Sequence, residues 1–104
     1  PLAVDSELAE LYGVMEGRKE RRAEVLVSLA RAYRDRREPE AVFAALETME
    51  AALRAGAEDR LEEFEELRRI ASSTDVDAMD ERRFEDYERA RRWEAKHLSR
   101  LLSY

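Results

Sequence analysis

The chain holds a single histidine, His97, three residues after Glu94. On a helix that spacing sets a carboxylate and an imidazole on one face. Carboxylate-bridged di-metal bundles use this unit twice, together with two further carboxylates. One copy cannot supply the set, so no metal site is expected within a single chain. Glu94 and His97 are candidate ligands only where a two-fold dimer doubles them and acids from LEEFEEL (Glu62, Glu63, Glu65 and Glu66) complete the shell. The plainer alternative is a partly exposed histidine near a helix end. The chain has no cysteine, which excludes thiol catalysis, disulfides and zinc–thiolate sites. It also lacks a Gly-rich phosphate loop, a nucleophile elbow and a paired Ser/His/Asp arrangement. Neither enzymatic activity nor a cofactor is expected.

Binding chemistry has more to work with. Residues 82–100 read RRFEDYERARRWEAKHLSR, in which Arg82, Arg83, Arg89, Arg91, Arg92, Lys96 and Arg100 interleave with Phe84, Tyr87 and Trp93. Cations beside aromatics can hold phosphates and stack on unpaired bases, so Arg82, Arg83, Arg89, Arg92, Trp93, Lys96 and Arg100 are candidate nucleic-acid contacts. Phe84 and Tyr87 fall on the apolar stripe and are expected to pack rather than stack. Trp93 lies off that stripe and is expected to be exposed or covered by a partner. The acidic pI of about 5.0 weighs against a nucleic-acid domain, which ordinarily carries a basic field.

A second set of residues interrupts the apolar pattern. In EGRKERRAE, residues 16–24, Arg18, Lys19 and Arg22 stand where core residues should be, between Leu8, Leu11, Tyr12 and Met15 on one side and Val25, Leu26, Leu29 and Tyr33 on the other. Arg60 near Gly56, and Arg91 with Glu94 further on, interrupt the later segments. In three helices running up, down and up, Arg22, Gly56 and Glu94 share a height of roughly 24 Å at about 1.5 Å per residue. Arg22, Arg60, Arg91 and Glu94 thus form a candidate polar layer. Such residues can straddle the core edge with their charges in water, fix helix register as buried polar residues do, or offer Arg forks to a phosphate or carboxylate. Repeated interruption can also mean that the helices break there.

The elements that must position these groups are helical. The Ala/Glu/Leu/Arg-rich composition is that of long helices, and no alternating β-branched stretch occurs. Pro39 ends one helix at Glu38 and suits the first turn of the next. SSTDVD, residues 72–77, is a capping cluster with Thr74, Asp75 or Asp77 as N-cap. The expectation is an all-α, single-domain antiparallel bundle of three long helices, about 6–36, 39–72 and 77–102. The middle helix is a candidate for a break at Gly56. Yet Leu46, Met49, Leu53, Ala57, Leu61, Phe64, Leu67 and Ala71 keep helical spacing through that glycine, which favours continuity. In the last segment Val76, Met79, Phe84, Tyr87, Ala90, Leu98 and Leu101 share a face.

Charge is segmented along the same divisions. Residues 1–37 carry eight basic and seven acidic side chains, residues 38–81 four and fourteen, and residues 82–104 seven and four, for nets of +1, −10 and +3. An acidic middle between basic ends suits antiparallel self-pairing. Stripes broadened by Val25 beside Leu26 and Val42 beside Phe43 exceed what three helices need. A homodimer or a subunit of a larger protein complex is therefore expected, with Phe43, Trp93 and Tyr104 as candidate interface aromatics. No run of about 18 apolar residues and no basic start with an apolar h-region is present, so a cytoplasmic location without membrane contact is expected.

Overall fold

The computed structural model describes the backbone of residues 2–101 and the side chains of residues 17–98 and 100. Four α-helices account for nearly all of it: α1 (Leu2–Asp35), α2 (Pro39–Arg54), α3 (Leu61–Ser72) and α4 (Glu81–Leu101), with single 3-10 turns at Glu58–Arg60 and Val76–Ala78. No strand occurs among the described residues. None of their helices is long and apolar enough to cross a membrane.

The all-α class and the Pro39 boundary match the reading above, but the count of three long helices does not. The middle segment breaks at Gly56, whose φ of +119° no helix accommodates. The backbone there closes α2 with paired reverse bonds: Ala57 N–H donates to the Ala52 carbonyl and Gly56 N–H to that of Leu53, at 3.0 and 3.1 Å. This is the Schellman ending, which calls for glycine at its left-handed position. Apolar spacing continued across the break because residues on both sides of it are buried, Met49 and Ala52 before it and Ala57 and Leu67 after.

One extra reversal inverts everything downstream. Asp80 N–H donates to Glu40 Oε1 at 2.7 Å, and Arg91 pairs with Glu47. Hence α4 runs parallel to α2 and antiparallel to α1, giving up–down–up–down rather than up–down–up. The start of α4 also shifts. Asp75 caps the 3-10 turn through Asp77 N–H at 3.0 Å. Asp80 caps the helix itself, its Oδ1 accepting from Arg82 and Arg83 N–H at 2.9 and 3.2 Å. Val76 and Met79 therefore precede α4 rather than lying on its stripe.

The core is built largely from alanine: Ala23, Ala30, Ala41, Ala44, Ala45, Ala52 and Ala57 are buried with Leu26, Val27, Tyr33, Met49, Leu67 and Tyr87. Small side chains let α1 and α2 lie close, with Met49 the largest fully buried apolar group. α2 is the hub that α1, α3 and α4 all contact. The result is a thin rod, 63 × 26 × 16 Å.

EGRKERRAE is no break, since α1 runs through it. Among the described side chains burial begins at Ala23, which lines one groove with Gly56 and Ala57. The polar stretch thus coincides with the level at which the antiparallel partner α2 ends.

Candidate functional site

The expected polar layer resolves into three places. Arg22 and Arg91 line one groove with Lys19, Glu47, Glu50 and Arg54. Arg91 reaches across it from α4 to Glu47 on α2 and also lies 3.6 Å from Glu88. Burial raises the Glu47 pKa; Arg91 pulls it down, and the Glu88 carboxylate pushes it up again. Arg60 lies in a different groove, with Glu20, Glu24, Arg31 and Asp59. There Glu63 on α3 takes a two-pronged contact from Arg31 on α1, at 3.1 and 2.5 Å. Its pKa is lowered chiefly by that bond.

Glu94 joins neither groove. Its Oε2 accepts from the Tyr33 hydroxyl at 2.5 Å, linking α4 to α1. Tyr33 meets Tyr87 edge to face, ring centroids 5.8 Å apart, and Tyr87 donates to Glu38 Oε2 at 2.6 Å. Burial, and after it the acceptor carboxylate, pushes both phenol pKa values above the ordinary value near 10. These two tyrosine–carboxylate bonds tie α4 to the α1–α2 hairpin. Their partners lie 61 and 49 positions apart in sequence, where no local spacing could have shown them.

His97 points elsewhere than Glu94. Its ring stacks on Trp93, centroids 3.9 Å apart and planes 17° from parallel, and its Nδ1 lies 2.9 Å from the Trp93 carbonyl oxygen. No group of three or more potential metal ligands occurs among the described residues.

The candidate nucleic-acid contacts divide between two faces of α4. Arg83, itself half-exposed, leans toward α2, 4.0 and 3.8 Å from Glu38 and Glu40. Arg82, Arg89, Arg92, Lys96 and Arg100 are exposed, and Trp93 stands among them 60% exposed. Arg82, Arg89, Trp93, Lys96 and Arg100 follow steps of seven, four, three and four, which keeps them on one outward stripe. The His97 ring covers one face of the indole. Of the other candidate interface aromatics, Phe43 is half-buried on α2, and Tyr104 lies outside the described residues.

Sequence reasoning missed three exposed apolar groups: Leu61 at 53%, Ile70 at 38% and Val76 at 64%. Leu61 was placed on the continuous middle stripe, and the break at Gly56 turns it outward. It also missed Glu40, a carboxylate only 2% exposed, which holds Asp80 N–H and faces Arg83 at 3.8 Å. What the arrangement offers chemically is adhesion: outward rows of charge with large apolar groups among them, on α3 and α4. Comparison with protein-family models, curated proteins and solved structures finds no match for this chain, and its role has to be argued from these residues.

Proposed function

We infer that the chain acts by binding rather than by chemistry, as a helical assembly subunit that associates with copies of itself. The observation that carries this reading is a surplus of surface. The accessible area is 7763 Å², against roughly 6,100 Å² for a compact monomer of this mass. The radius of gyration of 17.0 Å exceeds the roughly 13 Å of a globular domain of this length. An alanine core stabilises the hairpin but leaves Trp93, Leu61 and Val76 in water, where a second copy can cover them. Light scattering on the purified chain over a concentration series tests this. A mass rising to a fixed multiple of 12.2 kDa is the expected result; a constant monomer up to millimolar concentration sinks the reading.

A second reading rests on the outward α4 stripe. Four cations in line with a stacked indole suit single-stranded nucleic acid, where phosphates pair with Arg and Lys and a base stacks on the free indole face. Binding of a labelled oligonucleotide that weakens steeply between 50 and 200 mM salt is its signature.

A further inference from the structure

Resting on the self-association reading, we propose that the contact is made between α4 of one copy and α3 of another, running antiparallel. The basis is a pair of matched side-chain rows. On α3, Leu61, Glu65 and Arg69 follow one another at steps of four and are all exposed. On α4, Glu85, Arg89 and Trp93 do the same. Residues four apart form the ridges by which helices pack, and each row spans eight residues, about 12 Å.

Laid antiparallel, the two rows are complementary at every position. Trp93 meets Leu61 of the other copy, Arg89 meets Glu65, and Glu85 meets Arg69. Laid parallel, Trp93 would meet Arg69 and Leu61 would meet Glu85, so apolar groups would desolvate charges at both ends. Beside these rows run Glu62 and Glu66 on α3 and Arg92 and Lys96 on α4, again exposed, acidic against basic. Within one chain the corresponding charges make only local pairs, Arg68 with Glu65 at 3.5 Å and Arg89 with Asp86 at 3.6 Å, both between exposed side chains. Such pairs are worth little and exchange readily for contacts across an interface. The indole, stacked on His97, is the aromatic anchor of the contact, packing on Leu61 at one end of the matched rows.

The test is a charge-swap pair read by sedimentation at matched concentrations. One variant carries Arg89→Glu and Arg92→Glu, the other Glu62→Arg and Glu65→Arg. All four positions are exposed, so both variants are expected to keep wild-type helicity by circular dichroism. Each alone is expected to associate at least about tenfold more weakly than wild type, because like charges then face each other. The equimolar mixture is expected to recover association, since reversed α4 then meets reversed α3 and the unreversed helices still pair. If wild type associates and either variant associates as well as it does, or the mixture fails to recover, this interface is wrong while self-association stands. If wild type does not associate at all, the broader reading fails with it. If Arg89→Glu with Arg92→Glu abolishes binding of a labelled single-stranded oligonucleotide but leaves association intact, the stripe serves nucleic acid and the proposal is overturned.

Discussion

Tyr33 shows how one side chain can join elements that sequence spacing keeps apart. Its ring sits in the core beside Tyr87, while its hydroxyl reaches out to the Glu94 carboxylate. Hydrogen bonds to a charged acceptor contribute roughly 1.5–3 kcal/mol; partial exposure lowers this one to about 1–2 kcal/mol. Tyr33→Phe keeps the ring packing and removes the bond, so urea denaturation should register a loss of that size, and a change below about 0.3 kcal/mol would mean that Glu94 is solvated instead. Titration adds a sign. The folded-state pKa of Tyr33 is raised above an unfolded value of about 10. Its contribution is therefore fully present below pH 10 and is lost as pH climbs through the folded value. The alkaline fall in stability above pH 10 should be shallower in Tyr33→Phe than in wild type, and equal slopes would assign that loss to other groups.

Backbone conformation at Pro39 and Gly56 sets two of the three boundaries between the four helices. Pro39 was readable because its missing N–H and fixed φ act locally. The break at Gly56 was visible only as a candidate, because apolar periodicity reports which faces are buried and not whether one φ is positive. From that single angle follow the direction of α4, the meeting of Arg91 with Glu47, and the outward turn of Leu61; the polar layer was placed on the opposite direction. Gly56 has open space around it, so Gly56→Ala acts through the backbone alone and should cost about 1–2 kcal/mol. Arg37 has the converse problem, a φ of 58° on a non-glycine residue at the end of α1. Arg37→Gly should raise stability by about 0.5–1 kcal/mol, and thermal melts of the two variants should move in opposite directions. Glu40 acts between elements, fastening the first turn of α4 to that of α2. Glu40→Ala should cost about 2 kcal/mol and speed amide exchange across residues 80–87; unchanged exchange there would show that the tyrosines and the Arg91–Glu47 pair hold α4 without it.

At the scale of the whole molecule the segmented charge has two separate consequences. α2 and α3 carry seven of the fourteen acidic residues of the middle segment, and only some of these are answered from other helices, by Arg31 on Glu63, Arg91 on Glu47 and Arg83 beside Glu40. The outer row of α3 and the outer row of α4 stay in water. The segmentation itself was legible from residue counts, but which halves of it face outward depends on the fold. If those rows meet between copies, association stabilises the folded state by mass action. Melting temperature should then rise with protein concentration, by about 3 °C or more per tenfold step for a chain of this size. Salt separates the charged share of the contact from the apolar share. The screening length falls from about 10 Å at 0.1 M to about 3 Å at 1 M, so the concentration dependence should weaken at 1 M salt. Trp93 against Leu61 is not screened, and part of the dependence should survive. A melting temperature independent of concentration at both ionic strengths would mean that the outer rows meet no second copy. Full persistence at 1 M salt would place the contact on apolar surface away from them.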